Sequence, residues 1–543
     1  MKNNFCLVFG LLLVTKLTVA QPGFFLKSLG PTNFSGSNDN ANAIRQTPDG
    51  GYIVCGSTQS YGAGSIDVYL AKYDANAALQ WSKTYGTPNY EAGYHVIITV
   101  DSGYLVSGGL LDTGQTTTDM LLFKTDASGV VQWSKQYGGI MSEQASSLEG
   151  IQQTSDMGYI MTGTTNGYDA IISNNIALVK TDSQGDTLWT KVYTAPGFDQ
   201  ALAVQQTFDG GYIICGRTNE FGAGQLDALL IKTDSTGVIE WTKAYGGAEG
   251  EEAMCVKQTP DSGFILTGAT YSFVIGYADI YVIKTNSNGD VQWSRSYGEI
   301  GLEASYSICT TIDGGYAITG FTESYISPAS HSTRGDDSSN VVLLKIDSAG
   351  LIQWSHLYGG LLLDEAYCVT QTSDTGYVIA ATTRSFGSDS TDNGLIIHTD
   401  KNGNADCFSK MIVMLSDSDS TVVTPGSYTY SYGFDYSDYT LAGIDFQLTD
   451  QQLCLPVHSV SYESPAEQVT LIPNPAHQFC TVTAPGIKNT LLELRDITGR
   501  KIMTKHFNAA IQINLSELLP GIYLVEIKNP AGFGSVQKKL VVE

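Results

Sequence analysis

Apolar positions along this chain cluster where simple alternation fails, and those clusters are regularly spaced. Tyr212-Ile-Ile-Cys215 and Ala228-Leu-Leu-Ile231 are apolar on both faces. Strands of that kind need cover on both sides. They belong to a unit spanning residues 201–246. Residues 201–207 predict a first strand and 212–218 a second. Asp209-Gly-Gly joins them as a tight turn that places Gly where φ must be positive. Residues 227–233 predict a third strand and 238–245 a fourth, joined by Asp234-Ser-Thr-Gly237. Four short strands joined by turns make a meander.

The unit recurs seven times. Its turns read Asp49-Gly-Gly-Tyr52, Asp101-Ser-Gly-Tyr104, Asp156-Met-Gly-Tyr159, Asp209-Gly-Gly-Tyr212, Asp261-Ser-Gly-Phe264, Asp313-Gly-Gly-Tyr316 and Asp374-Thr-Gly-Tyr377. A period of 52 to 61 residues is that of a propeller or another repeat array. All six tryptophans, Trp81, Trp133, Trp189, Trp241, Trp293 and Trp354, fall at one place in the fourth strand, each followed four residues on by Tyr. A side chain of about 200 Å² at the same place in each copy predicts packing between blades rather than a ligand contact. The expected fold is all-β: a seven-bladed β-propeller with these indoles as structural anchors. The chain offers the fourth strand eight times. The extra copies are Phe25-Leu-Lys-Ser-Leu-Gly30 and Cys407-Phe-Ser-Lys410. Phe25 fills the Trp position better, so the N-terminal segment is expected to close the ring and remove its exposed edge.

The Asp-x-x-Gly-x-x-x-Trp turns resemble the tryptophan-docking turns of pyrroloquinoline-quinone dehydrogenase propellers and, with other spacing, the Asp-box of sialidases. That resemblance implies architecture alone. No vicinal Cys pair of the quinoprotein kind is present, and Arg45, Arg217, Arg295, Arg334 and Arg384 fall in different repeat slots, so no sialidase-type arginine triad is assigned.

At 543 residues and a net charge of −25, the chain is long enough for two or three domains and carries the wrong sign for nucleic-acid backbone or anionic membrane surfaces. Residues 1–20 read as a signal peptide, with Lys2, an apolar run to Val14 and Thr18-Val-Ala20 before the cleavage point. No later stretch is long and apolar enough for a membrane span. Cys55 and Cys215 share a slot that holds Ser, Thr or Ala elsewhere, which marks them as small buried residues. Cys407 and Cys454 flank a non-repeat segment and are the candidate disulfide for an oxidising compartment. No CxxC, HExxH or His cluster points to zinc.

Two slots hold short acids. Ten residues before each turn stand Asp39, Glu91, Asp199, Glu251, Glu303 and Asp364, with Ser146 in the third copy and Glu143 nearby. The third strand opens on Asp67, Asp119, Asn175, Asp227, Asp279, Asn340 and Asn393. Both slots face one side of the disc. They read either as a sugar-binding or cation face, with Ca²⁺ the candidate ion and no other cofactor indicated, or as residues that cap their own loops. Recurrence in every copy favours capping. Arg334-Gly335-Asp336 and His331 sit in the longest variable loop. His356 and His398 replace repeat Lys or Arg and are expected at solvated strand positions. No nucleophile–base pair is visible.

Residues 411–466 break the repeat and read as a connecting segment. After it, a β-sandwich of about 75 residues is expected. Its residues carry a family resemblance. Pro473-Asn474-Pro475 after Ile472, Asp496-Ile-Thr-Gly499-Arg500, Asn514-Leu-Ser516, Gly521-Ile-Tyr523 and the Lys538–Glu543 ending are similar to the type A C-terminal sorting domain of the Bacteroidota type IX secretion system. The resemblance implies an Ig-like sandwich over 467–543, the export machinery as partner, and a final location in the medium or at the cell surface. The expected organisation is a signal peptide (1–20), a propeller (21–410), a connecting segment (411–466) and a sorting domain (467–543). The expected role is a non-enzymatic scaffold binding a protein or glycan; the alternative is a glycan-degrading hydrolase or lyase using the acidic loop face.

Overall fold

The computed structural model describes residues 25–29, 37–452 and 470–542, apart from short stretches inside those ranges. The signal sequence, Cys407, Cys454, His331, Arg334, Gly335 and Asp336 lie outside the described residues, as do Pro473, Asn474, Pro475 and Gly499 of the sorting motifs. The chain forms two compact units, 1–456 and 457–543.

The first unit is a seven-bladed propeller built from antiparallel meanders. The fourth blade is representative: Asp199–Gln206, Tyr212–Thr218, Asp227–Thr233 and Ile239–Gly246 pair in that order. Its second and third strands are buried almost throughout, as strands apolar on both faces must be. Ring closure follows the N-terminal segment. Phe25–Leu29 pairs with Asn393–Thr399, so the last blade takes its fourth strand from the start of the chain.

The stretch read as a connecting segment does more than connect. Between residues 409 and 452 it adds one outer strand to every blade in turn. Ser409–Ile412 pairs with the sixth blade, Leu415–Ser418 with the fifth and Val422–Pro425 with the fourth. Thr429–Tyr432, Tyr436–Asp438 and Ala442–Asp445 join the third, second and first, and Asp450–Gln452 pairs with Phe25–Leu29. This segment therefore makes one full circuit of the rim against the chain direction. A four-stranded blade leaves its outer edge bare, and the belt covers that edge. Strands of three or four residues fall below the length at which alternation can be read, which is why the circuit was not visible in the sequence.

The blades interlock identically. Each Tyr that follows a Trp by four residues donates its hydroxyl to the turn of the next blade: Tyr85 to Gly129 O at 2.8 Å, Tyr193 to Gly237 O at 2.8 Å and Tyr297 to Gly350 O at 2.7 Å. The half-buried indole lies over the same turn. A Cβ on Gly237 would stand 2.9 Å from Trp189, so Gly is required there for close approach as well as for its φ of 76°. Trp189 also meets Tyr212 of the next blade edge-on, with ring centroids 5.8 Å apart. Trp189 thus lies between its own blade and the next.

The Asp-x-Gly turns divide their glycine needs in an unexpected way. The middle residue takes the positive φ, and in four copies it is Ser102, Met157, Ser262 or Thr375. The Gly present in every copy has a different duty: a Cβ on Gly51 would lie 2.2 Å from Tyr73 O. Beneath six of the seven turns runs a buried lysine. Lys72 reaches Asp49 at 2.9 Å and Lys232 reaches Asp209 at 3.0 Å. In the last blade His398 takes that place, 3.6 Å from Asp374. His398 is fully buried and His356, packed on Trp354 at 5.4 Å, is nearly so; both differ from the solvated positions expected of them.

The second unit is a sandwich. Thr470–Ile472, Phe479–Ala484 and Ala509–Asn514 form one sheet; Thr490–Asp496, Lys501–Phe507, Gly521–Lys528 and Ser535–Val542 form the other. Val482, Leu492, Leu494, Ile513, Val525 and Leu540 are its core. Tyr523 joins that core, whereas Arg500 is exposed. Asp496 and Gly521 end and begin neighbouring strands.

Candidate functional site

The two slots of acids come first, because the sequence singled them out. Asp39, Glu91, Asp199, Glu251, Glu303 and Asp364 are between 0 and 4% exposed. Their oxygens serve their own loops. Glu251 accepts from Gly247 N at 2.7 Å, Thr270 Oγ1 at 2.9 Å and Ser272 N at 3.1 Å. Asp364 accepts from Gly360 N at 2.8 Å and from the Thr383 and Ser385 hydroxyls. Glu143 fills the role in the third blade, accepting from Thr165 Oγ1 at 3.0 Å. In the other slot, Asp227 accepts from Ala223 N and Gly224 N, both at 3.2 Å. Burial pushes the carboxyls of Asp67, Asp227, Glu303 and Asp364 up. The slots tie each blade's loops to its strand starts. Among the described residues no three His, Cys, Asp or Glu gather as a metal set.

The blades stop resembling one another at the axis. The first strand of six blades carries a β-bulge at one position, seen as a register shift between Ala41 and Ala43, Gly93 and His95, Ala201 and Ala203, Ala253 and Cys255, Ser305 and Ser307, and Ala366 and Cys368. A bulge re-aims the extra residue. Here the extra residues are Asn42, Tyr94, Leu202, Met254, Tyr306 and Tyr367, and all line one cavity of about 390 Å³ at the loop end of the channel. The third blade reaches the same place differently. Its first strand is split into Glu143–Ala145 and Ile151–Gln153, and the loop between brings Ser147 and Leu148 to the cavity. Asn40, Gln200 and Arg217 complete the wall.

The wall has a graded chemistry. Tyr306 and Tyr367 present rings 5.2 Å apart, and Tyr306 stacks on Phe321 at 5.9 Å. Tyr367 donates to Glu365 Oε2 at 2.9 Å. Burial raises the hydroxyls of Tyr94, Tyr306 and Tyr367, so all three stay protonated, and it pushes Glu365 up as well. Arg217 donates to Gln200 Oε1 at 2.9 Å, pairs with Glu252, and lies 5.6 Å over Phe198.

One to three residues past the mouth wall, the side chains close the channel. Arg45 of the first blade donates to Cys368 Sγ of the seventh at 2.6 Å and lies 2.6 Å from His95 Nε2 of the second. Its guanidinium is 3.7 Å from Glu149 of the third blade. Lys257 of the fifth blade bonds Glu149, and Ser307 of the sixth donates to it at 3.1 Å. Opposite blades are thereby cross-braced. Burial alone would raise Glu149; Lys257 and Arg45 outweigh it and bring it down to about 2. Sequence reasoning missed this layer, although the signal was present: the turn spacing lengthens from 52 to 55 residues just before Asp156, and the extra residues hold Glu149.

Comparison with known proteins gives four relationships. Regulatory protein FlaEY of Caulobacter vibrioides is 26% identical over 253 residues, which is 40% of this chain and 26% of that protein. The chain thus spans about a quarter of that relative's length. Among solved structures, PorZ of Porphyromonas gingivalis, described as an essential bacterial surface component of its type-IX secretion system, is 10% identical with a TM-score of 0.33, covering 91% of this chain and 73% of PorZ. The extracellular domain of a hybrid two-component system from B. thetaiotaomicron is 8% identical with a TM-score of 0.15, covering 95% of this chain and 98% of that one. Residues 470–543 match the family of the secretion system C-terminal sorting domain. No described helix is long and apolar enough to cross a membrane. The protein is a seven-bladed β-propeller that carries a type IX sorting domain, the tail that directs Bacteroidota cargo to the cell surface or the medium.

Proposed function

We propose that the protein is an exported, non-catalytic propeller that holds a glycan in the loop-end mouth of its axial channel. One observation carries this reading: blades that agree elsewhere carry Asn, Tyr, Leu or Met at six bulges and a loop in the third, and these residues share a cavity. Positions maintained for architecture repeat in every blade, and departures confined to one concave site mark recognition. The lining suits a pyranose. The apolar face of a sugar packs on the Tyr306 and Tyr367 rings, and its hydroxyls meet the planar amides of Asn40, Asn42 and Gln200 and the Arg217–Glu252 pair. The acids of the two loop slots take no part, because their own loops occupy them. The sorting domain delivers the propeller and has no role in binding.

The test is a glycan array probed with the propeller unit, followed by reducing-sugar assay on any glycan retained. The expected result is retention without release, lost in Tyr306→Ala and Tyr367→Ala. Release of reducing ends would make the protein an enzyme, and silence across the array would remove the glycan reading.

A further inference from the structure

The layer that closes the channel is unbalanced in charge. Arg45 and Lys257 share one carboxylate, Glu149; the other titratable groups that act on either cation are thiols, the neutral His95 ring and the cations themselves, none of them a second carboxylate. Both cations remain partly open, with side chains 18% and 25% exposed, whereas Glu149 is 8% exposed. Two half-buried cations on one anion leave a positive charge that the fold does not neutralise, in a chain with net charge −25.

His95 adds an independent observation. An arginine can only donate, so the 2.6 Å contact from Arg45 makes His95 Nε2 the acceptor. The ring proton therefore sits on Nδ1. That atom is buried and finds no hydrogen-bond partner among the described residues, and the residue is 3% exposed. A buried N–H without an acceptor is costly and calls for one. The ring is held neutral: burial first, then Arg45, bring His95 down to about 3. The donor thus stays a neutral N–H at neutral pH.

We propose that Arg45 and Lys257 form a receptor for an oxyanionic group at the floor of the mouth, beside the unpartnered His95 Nδ1–H. His95, Glu149, Ser307 and Cys368 each directly follow a residue of the mouth wall, Tyr94, Leu148, Tyr306 and Tyr367. A sugar stacked on those tyrosines carries its anionic substituent towards the cations, so the glycan class is acidic: uronate or sulfated. The acidic-sugar part rests on the glycan reading above, whereas the oxyanion receptor does not. Charge-assisted bonds to a carboxylate or sulfate group match the donor set.

The test titrates the full propeller with sodium sulfate, glucuronate and glucose at constant ionic strength, by calorimetry and by NMR of ¹⁵N-labelled histidine. Sulfate and glucuronate are expected to bind and glucose to bind at least about tenfold more weakly. Arg45→Gln and Lys257→Gln are each expected to weaken sulfate by about tenfold or more. Tyr306→Ala weakens glucuronate and leaves sulfate unchanged. In the unaltered protein, the His95 ring resonances shift saturably with sulfate while those of His356 and His398 do not, which keeps the test valid if an Arg45 variant fails to fold. Glucose binding as tightly as glucuronate, with sulfate silent at His95, overturns the receptor and leaves the glycan reading standing. Sulfate binding with no sugar retained overturns the glycan reading and leaves the receptor. Silence of all three probes overturns the receptor, and silence across the glycan array as well overturns both.

Discussion

The contacts between blades and the residues at the axis obey opposite rules. Between blades, each Tyr hydroxyl finds the next turn's carbonyl, as Tyr137 does on Gly185 O at 2.7 Å and Tyr245 on Gly289 O at 2.8 Å. Gln side chains repeat the pattern near the axis: Gln206 accepts from Ser155 N and Gln258 from Phe208 N, each at 2.8 Å. At the bulge, by contrast, the residue is Asn, Tyr, Leu, Met, Tyr or Tyr. The same backbone device carries four kinds of side chain across six blades. Repetition marks what holds the ring together, and its loss marks what the ring presents.

That division can be broken experimentally. The largest effect is expected from removing residues 25–29, which leaves Asn393–Thr399 and Asp450–Gln452 without their shared partner. Thermal unfolding should lose its single cooperative transition; an unchanged melting temperature would mean the ring does not depend on this closure. Acid should cost a few kcal/mol. The unfolded chain protonates its histidines near 6.5, whereas folded His95 resists down to about 3, so this contribution is complete above pH 6.5 and is lost as pH falls. The slope is about 1.4 kcal/mol per pH unit. His356, also lowered mainly by burial, acts in the same sense. Denaturant midpoints measured from pH 7 to 4.5 should fall, and His95→Gln should flatten that fall.

Trp241→Ala should cost about 3 kcal/mol in denaturant unfolding and leave glycan retention intact, because the indole touches the next blade and not the mouth. Loss of retention in a folded Trp241 variant would erase the distinction between interface and axis. Thr375→Gly should stabilise by about 1 kcal/mol, since a β-branched residue there holds a φ of 71°. The smallest shift is expected from calcium. Added at millimolar concentration after chelation, it should leave the melting temperature unmoved, because loop groups already occupy oxygens such as those of Glu251 and Asp364. A rise of several degrees would restore the cation reading of the acid slots.

The sequence made the periodic part of the molecule legible and hid the rest. Seven Asp-x-Gly turns and six placed tryptophans define blade number, strand order and interface without coordinates, because each copy repeats the same physical demand. Phe25 announced ring closure by filling an indole slot. The axis was hidden for the opposite reason: Arg45, His95, Glu149 and Lys257 stand in four different blades, two of them four residues before a turn and the others six and seven before, so no alignment of repeats brings them together. His398 misled because its slot usually holds a charged residue, and the lysines of that slot are themselves buried beneath their turns. The belt escaped because strands of three or four residues carry too little pattern.

The belt has a consequence for the order of events in a newly delivered chain. Phe25–Leu29 must wait for a partner more than 360 residues downstream, and only the last lap of the rim seals it from outside. Until then a growing chain carries bare strand margins, open to pairing with any neighbour. Pairing so distant in sequence is slow to find. A polypeptide bolted shut by its own final lap cannot be finished piecemeal, so the chain through residue 452 is a condition of the closed ring.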